Sequence, residues 1–267
     1  MKQRHPLGET RTSVQSDHAL IGTDSHVPAS LFGWEATQGV MLVSPAMSRA
    51  GVSGRSIGSS GTRGPGFAMY LADLDEASST KAAPAGVQRV VYVLQGSIFV
   101  DSCTLLPEHF AYLPADSSYD LRCKSSARLL VFEKRYEPLP EVARPELFVS
   151  SLSQKTGEPF LGDPDLILTN LLPDHPAFDM AVNVFTYQSG GALPLVETHI
   201  MEHGLYMTQG QGVYRLNQSW YPVAKDDAIW MAAYCPQWFV AMGGNPAQYV
   251  YYKDVNRYHL PLSAEYS

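Results

Sequence analysis

The feature that most constrains the fold of this 267-residue chain is an internal repeat of long period. Three strings of the first half return in the second half at offsets of 114, 118 and 119 residues: 91–96 at 205–210, 111–115 at 229–233, and 131–134 at 250–253. Loop insertions change such an offset by a few residues, so the matches indicate one structural unit that occurs twice. A chain of this length suits two domains of about 130 residues each. We predict domains at 1–140 and 141–267, with a linker near 138–145.

Each repeated unit has the punctuation of a β protein. Runs of about four to eight residues rich in Val, Ile, Tyr, Phe and Trp alternate with turns supplied by 21 Gly and 19 Pro. Their spacing is typical of a sandwich or barrel, so the sequence predicts an all-β fold. Helical periodicity is scarce, and we expect at most one or two helical turns at 164–172. Residues 50–66 are typical of a flexible loop.

Composition and charge exclude several classes of function. The chain carries 19 Lys and Arg against 26 Asp and Glu, a net charge of −7, so we expect no binding to nucleic acid or anionic lipid. The sequence contains no stretch of about 18 apolar residues, so we expect no membrane span. Residues 6–16 are too polar for a signal peptide. Cys103, Cys123 and Cys235 form no C-x-x-C pair and leave one odd. This cysteine usage favours a reducing cytoplasm over a disulfide framework.

The second half contains polar residues with the spacing of a metal site. The pattern is Gly191-x5-Glu197-x-His199-x3-His203-x6-Gly210. Residues i and i+2 of a strand share a face, so Glu197 and His199 point the same way, and His203 joins them after a slight bend. Three potential ligands that converge inside a barrel predict a metal centre.

This spacing resembles the first motif of the cupin family, G-x5-H-x-H-x3-E-x6-G, except that Glu197 and His203 exchange the positions of His and Glu. The segment from Asp226 to Gln237 is similar to the second cupin motif, with Gln237 in place of the usual His. The resemblance implies a bicupin, two tandem double-stranded β-helix (jelly-roll) barrels, with a metal held by Glu197, His199, His203 and Gln237. One carboxylate, two imidazoles and one amide oxygen suit a divalent ion such as Mn²⁺, and about two octahedral positions stay open.

Further strings narrow the resemblance to the (S)-ureidoglycine aminohydrolase family of bicupins, some members of which are labelled glyoxylate-induced protein. The strings that carry it are Glu197-Thr198-His199, His203-Gly204, Gly210-Gln211-Gly212-Val213-Tyr214, Trp220-Tyr221-Pro222-Val223, Pro236-Gln237-Trp238 and Tyr252-Lys253-Asp254-Val255-Asn256-Arg257. The resemblance is dense over about residues 191–257 and weaker over the first half. It implies the breakdown of a purine-derived ureide: (S)-ureidoglycine and water give (S)-ureidoglycolate and ammonia.

The same resemblance implies roles for individual residues. Tyr214, Tyr249 and Lys253 contact the substrate, together with Glu197 and Gln237. Glu197 and Lys253 are the predicted catalytic residues. The group that moves the proton stays open between Lys253, Glu197 and a hydroxide on the metal; we favour the hydroxide, with Lys253 orienting the substrate carboxylate.

The first copy of the repeat provides an internal comparison. By the same offsets, the positions that match the four ligands are Ala83, Ala85, Arg89 and Tyr119. None is a usual metal ligand, so we predict one Mn²⁺ per chain, in the second barrel. The first barrel would serve as a packing partner or an oligomer surface.

Other polar and aromatic residues receive a structural interpretation. We expect Glu202 to point away from its neighbour His203 into solvent. The pairs Trp220-Tyr221 and Trp238-Phe239 are expected to pack in the barrel core.

Two alternatives to the aminohydrolase stay open. A cupin with another chemistry, such as a dioxygenase or an isomerase, fits a site of two histidines and a carboxylate. A non-catalytic binding or storage bicupin is the other, although storage proteins usually lack a complete ligand set. We also expect a small-molecule substrate, a cytoplasmic location and a homo-oligomer.

Overall fold

The computed structural model describes residues 10–45 and 64–257. Within those ranges the chain forms twenty strands and two short 3-10 helices, Thr23–Ser25 and Leu152–Gln154, and it forms no α-helix. The predicted all-β fold is confirmed. The helical turns expected at 164–172 are wrong, because Asp163–Asn170 is a strand. The loop predicted at 50–66 falls mostly outside the described residues.

The strands of the first half are short at the N-terminus and long in the repeat unit. They are β1 (Ser13–Val14), β2 (His18–Gly22), β3 (Ala29–Ser30), β4 (Gln38–Val43), β5 (Phe67–Asp75), β6 (Ser79–Thr80), β7 (Val87–Val100), β8 (Cys103–Leu105), β9 (His109–Leu113) and β10 (Leu121–Arg135). The strands of the second half are β11 (Phe148–Ser151), β12 (Glu158–Phe160), β13 (Asp163–Asn170), β14 (Met180–Tyr187), β15 (His203–Gln209), β16 (Gln211–Leu216), β17 (Ser219–Ala224), β18 (Asp227–Met231), β19 (Gln237–Ala241) and β20 (Ala247–Asp254).

The strands form three sheets and enclose three buried clusters. A nine-stranded sheet runs β11-β9-β7-β10-β5-β4-β3, with β6 beside β10 and β8 beside β7. An eight-stranded sheet runs β1-β2-β18-β15-β20-β14-β13-β12, and a three-stranded sheet runs β17-β16-β19. One apolar cluster fills the first barrel, one fills the second, and one lies between the two large sheets. The fold is thus two barrels packed face to face.

Strand alternation decides which residues reach the inside of the second barrel. On β20, Val250 and Tyr252 belong to the cluster between the barrels, whereas Tyr249 and Tyr251 belong to the interior cluster. Successive side chains of a strand point to opposite faces, so Lys253 shares the interior face with the two tyrosines. The substrate-contacting face predicted for Tyr249 and Lys253 is therefore an inner wall of the second barrel.

Each barrel includes strands from the other half of the chain: β1 and β2 join the large sheet of the second barrel, and β11 joins the sheet of the first. Strand β2 pairs with β18, from Ala19 opposite Trp230 to Ile21 opposite Ala228. Strand β11 pairs with β9 in the first barrel. The domain boundary predicted between residues 140 and 141 stays a prediction. Strands on either side of that boundary pair with strands of the other half.

The pairing register corrects the alignment of the two repeats near their ends. Glu133 lies opposite Arg89 in the first barrel, and Lys253 lies opposite His203 in the second. Since Arg89 and His203 correspond at the 114-residue offset, Glu133 corresponds to Lys253, at an offset of 120. The match of 131–134 with 250–253 is one residue out of register, and such a slip reverses the face of every side chain. Lys134 accordingly points to the barrel interface, where its Nζ lies 2.7 Å from the buried Asp179 carboxylate.

The barrels approach closely beside the predicted metal ligands. Gly204 lies next to His203, and a Cβ added there would overlap the Phe67 ring of the first barrel. The Phe67 ring in turn stacks on Tyr252, with centroids 4.0 Å apart. The contact between the barrels therefore holds the start of β15, next to His203, in place from outside the second barrel.

The three cysteines are free, Cys103 exposed and the other two buried. None of the helices in the described ranges has the length and apolar character needed to cross a bilayer.

Candidate active site

A cavity of about 120 Å³ lies in the second barrel. Every residue predicted as a ligand, a substrate contact or a catalytic group lines it. The lining residues are Phe160, Leu168, Phe185, Glu197, His199, Met201, His203, Leu205, Tyr214, Gln237, Tyr249, Tyr251 and Lys253. The structure thus brings the predicted site residues together, and their individual roles stay predictions.

The segment that carries Glu197 and His199 is attached to the barrel wall through its backbone. Glu197 N–H donates to the Gln237 carbonyl over 2.8 Å, and Gln237 N–H donates to the Glu197 carbonyl over 2.9 Å. The Tyr234 N–H donates to the His199 carbonyl over 2.7 Å. Glu197 therefore lies in an isolated bridge beside β19 rather than in a named strand. Hydrogen bonds to a second strand hold these side chains over the cavity.

The two histidine rings lie parallel to each other and to a tyrosine. His199 and His203 have centroids 4.7 Å apart and planes inclined by 24°. His203 stacks in turn on Tyr251, at 5.5 Å and 14°. The His199 Nε2 lies 2.9 Å from the Gln237 side-chain nitrogen, whereas the buried His203 Nε2 has no hydrogen-bond partner among the described residues.

The donor set fits a divalent metal. Burial lowers the pKa of His203 well below the usual value, and the charges of His199 and Lys253 lower it further. Burial also lowers the pKa of His199. Both imidazoles are therefore neutral near pH 7, as metal coordination requires, and a buried nitrogen without a partner is an open ligand position. The amide oxygen of Gln237 and the carboxylate of Glu197 add oxygen donors of the kind that Mn²⁺ accepts.

The ligand atoms of Glu197, His199 and His203 do not all lie within 4.8 Å of one another. In the described ranges, the group that meets that spacing is Asp17, His18 and Cys235. Each member has a contact outside the group. His18 Nε2 lies 2.9 Å from the Tyr221 hydroxyl, Asp17 Oδ2 accepts from Asn217 Nδ2 over 2.7 Å, and Cys235 Sγ lies 3.7 Å from the Pro236 carbonyl. We interpret that group as a hydrogen-bonded junction between β2 and the second barrel.

A chain of buried tyrosines leads from the barrel interior to the ligands. The hydroxyls of Tyr187 and Tyr249 lie 2.8 Å apart. The Tyr214 hydroxyl donates to Gln237 Oε1 over 3.4 Å, and Gln237 contacts His199. Burial raises the pKa of all three phenols, so each keeps its proton near pH 7 and can donate it.

The charged pair of the cavity is Lys253 and Glu197. Burial lowers the pKa of Lys253, and the charges of Asp174 and Glu197 partly restore it. Burial raises the pKa of Glu197, and the charge of Lys253 opposes that rise. Each of these two half-buried groups therefore favours the charged form of the other across the cavity.

Sequence reasoning missed Tyr251 and the apolar wall. Alternation could have found Tyr251, because it lies between Tyr249 and Lys253 on the same face of β20. Phe160, Leu168 and Phe185 come from β12, β13 and β14, and nothing in the sequence pattern distinguishes them from ordinary core residues.

Two structural expectations are wrong. Glu202 does not extend freely into solvent: it is half-buried, its carboxylate accepts a hydrogen bond from Gly66 N–H over 3.0 Å, and desolvation raises its pKa to about 7. Trp220 does not pack in the core, because 57% of it is exposed on the edge strand β17. Phe239 is buried as expected.

The first barrel places a different group at the corresponding position. Arg89 is completely buried, and its guanidinium lies 2.6 Å from the Glu133 carboxylate. The same guanidinium donates to the Tyr119 hydroxyl over 2.7 Å. Ala83 and Ala85 offer no side-chain donor atoms. The positions that match His203, Lys253 and Gln237 are thus joined in one internal ion-pair network.

Comparisons with known proteins agree with this architecture. The chain is 38% identical over 257 residues to a probable (S)-ureidoglycine aminohydrolase of Oryza sativa, covering 94% of this chain and 77% of that protein. It is 37% identical to the (S)-ureidoglycine aminohydrolase of Arabidopsis thaliana, covering 94% and 80%. The enzyme of that name from Escherichia coli is 28% identical and covers 95% of both chains. A scan against protein-family models finds no match.

Solved structures give the same result. The putative glyoxylate-induced protein of Pseudomonas aeruginosa superposes with a TM-score of 0.79 and 26% identity, covering 96% of this chain and 94% of that one. Bacillus subtilis oxalate decarboxylase superposes with a TM-score of 0.66 over 95% of this chain and 81% of that one, but at 9% identity that likeness shows the fold alone. With the two-barrel architecture and the extent of these matches, this bicupin chain belongs to the (S)-ureidoglycine aminohydrolase family.

Proposed function

We propose that the protein hydrolyses (S)-ureidoglycine to (S)-ureidoglycolate and ammonia in the cavity of the second barrel. The carrying observation is that Glu197, His199, His203, Gln237 and Lys253 line one cavity in a chain of this family. The reaction breaks the bond from Cα to the amino nitrogen and forms a bond from Cα to a water oxygen. One proton of the water moves to the departing amine, which leaves as ammonia, and the other proton stays on the product hydroxyl, so atoms balance.

Glu197, His199, His203 and Gln237 would hold one Mn²⁺ in that cavity. When bound, such an ion lowers the pKa of a coordinated water and polarises substrate oxygen atoms. The neutral imidazoles and the unpartnered His203 Nε2 support this assignment.

Lys253 binds and orients the substrate. Its ammonium group is the cation of the cavity, and it pairs with the substrate carboxylate as a point charge. The hydroxyls of Tyr214 and Tyr249 are protonated donors that contact the other polar groups of the substrate. The apolar wall keeps bulk water from competing for these contacts.

Water held at the metal site would supply both the attacking oxygen and the proton, which is the alternative we favour. The Glu197 carboxylate, as one of the residues that would hold the ion, would help to pass that proton to the departing amine. The charge of Lys253 favours the charged form of Glu197.

The protein acts as a cytoplasmic homo-oligomer of two-domain subunits with domains 1–140 and 141–267. Three free cysteines suit a reducing compartment. The edge strand β17 with its exposed Trp220 supplies an unpaired surface for association.

Ammonia release from (S)-ureidoglycine by the Mn²⁺-supplied protein tests the proposal. We expect turnover by the natural sequence and by Glu146→Gln, an exposed control, and none above background by Glu197→Gln. No release by the natural sequence would overturn the aminohydrolase. Oxygen consumption in its place would support a dioxygenase, and ligand binding without turnover would support a binding protein.

A further inference from the structure

We propose that Tyr251 is a substrate-specificity residue whose hydroxyl donates a hydrogen bond to the ureido oxygen, and that Asn183 positions it. This inference rests on the proposed function and adds a contact that the motif does not contain.

The position of Tyr251 on β20 places it between two residues already assigned to the substrate. Tyr249, Tyr251 and Lys253 share the inner face, and all three line the cavity. Alternate residues of a strand are about 6.5 Å apart, which matches the reach of a small substrate from its carboxylate to its ureido oxygen. A carboxylate paired with Lys253 therefore leaves the ureido end of the substrate at the depth of Tyr251.

The hydrogen bonding of Tyr251 leaves its own proton free. Asn183 Nδ2 donates to the Tyr251 hydroxyl oxygen over 3.2 Å. A phenol that accepts a hydrogen bond still has one proton to donate. Tyr251 is 7% exposed and Asn183 is 2% exposed, so bulk water does not compete for that proton. No hydrogen bond among the described residues uses that proton, and Tyr251 lines the cavity, so the proton is available to a ligand there.

The ring of Tyr251 is also held in place. It stacks on His203 at 5.5 Å and packs against Phe185, with centroids 6.4 Å apart. These contacts fix the ring, while Asn183 fixes the hydroxyl. The donor is therefore aimed before the substrate arrives, which reduces the entropy cost of binding.

The test measures two ligands by calorimetry on the full-length, Mn²⁺-supplied protein. (S)-Ureidoglycolate carries both the carboxylate and the ureido group, whereas glycolate lacks the ureido group. We expect Tyr251→Phe to weaken ureidoglycolate binding about tenfold, the effect of one lost hydrogen bond, and to leave glycolate binding unchanged. Asn183→Leu should also weaken the binding of ureidoglycolate and not that of glycolate. The loss should be smaller than in Tyr251→Phe, because the phenol remains but is no longer oriented.

Tyr252→Phe is the matched control. It removes a hydroxyl from the adjacent residue of β20, which faces the barrel interface and has no hydrogen-bond partner there within residues 10–45 and 64–257. We expect this variant to leave the affinity for both ligands unchanged. Equal affinities for ureidoglycolate in Tyr251→Phe and the natural sequence would overturn this inference alone. Failure of the natural sequence to bind ureidoglycolate or to release ammonia would overturn the proposed function itself.

Discussion

The two barrels carry differently charged residues at the same two positions of the repeat. In the first, Arg89 stands where the second barrel has the predicted ligand His203, and the protein supplies its counter-ion, Glu133. In the second, neutral His203 and the cation Lys253 stand at the same two positions, and a cavity remains. The guanidinium of Arg89 is part of the chain and stays paired with Glu133. The Nε2 atom of His203 has no partner among the described residues, so a bound ligand would complete its contacts. The comparison teaches that one barrel is closed by its own ion pair and the other is built to bind.

The largest expected effect distinguishes the barrels by activity. His203→Ala should lower ammonia release by at least about 100-fold, because it removes a proposed metal ligand. Arg89→Met, at the matching position, should retain activity within about threefold per folded molecule. The assay compares kcat at saturating Mn²⁺, with circular dichroism to count folded protein. Equal losses in both variants would break the comparison.

The second effect concerns stability and reverses that order. Arg89→Met leaves the Glu133 carboxylate without its partner inside the first barrel, so the free energy of unfolding should fall by about 3–5 kcal/mol. Urea denaturation measures it. The double variant Arg89→Met with Glu133→Leu should recover part of the loss, since no buried charge then lacks a partner. If the double variant is no more stable than Arg89→Met, the ion pair does not close this barrel.

A third prediction concerns the pH dependence of stability at a position where one repeat has a carboxylate and the other an amide. Glu202 corresponds to Gln88, a neutral side chain that accepts from the Tyr112 hydroxyl over 2.9 Å. The folded pKa of Glu202, about 7, lies above its ordinary value, so the folded state favours the protonated acid. The stabilising effect is present at low pH and is lost as the pH rises from about 4.5 to 7.

Glu202→Gln should therefore unfold at nearly the same urea concentration as the natural sequence near pH 4.5 and be more stable by about 3 kcal/mol at pH 8. Chemical denaturation across that range measures the difference. A gap that does not grow with pH would contradict the burial of a charge at Glu202.

The smallest effect concerns the contact between the barrels. Gly204 corresponds to Val90, so only the second barrel lacks a side chain there. Gly204→Ala would overlap Phe67, and we expect about 1–3 kcal/mol of lost stability together with weaker Mn²⁺ binding through the adjacent His203. Val90→Ala serves as the matched variant in the first barrel. It should lower stability by a similar amount without changing metal affinity.

The sequence predicts the parts of this architecture that depend on local pattern. The repeat, the turn residues and the two-residue alternation suffice for the all-β fold and for the shared face of Tyr249 and Lys253. The spacing of Glu197, His199 and His203 suffices to place them at one cavity. Each of these signals acts over a few residues or recurs in both halves.

Long-range contacts carry no such signal. The pairing of β2 with β18 joins residues about 200 positions apart, and its short strand differs little from others in the chain. The burial of Glu202 depends on Gly66 of the other barrel, which alternation along one strand cannot reveal. The one-residue error, which matched Lys134 instead of Glu133 to Lys253, arose because the short strings 131–134 and 250–253 are similar in either register.

The most direct measurement of the central claim is the number of Mn²⁺ ions that bind to each chain and the barrel that holds them. Metal analysis after dialysis should give one ion per chain for the natural sequence and for Arg89→Met, and none for His203→Ala. Two ions per chain, or one ion retained by His203→Ala, would contradict a single metal centre in the second barrel.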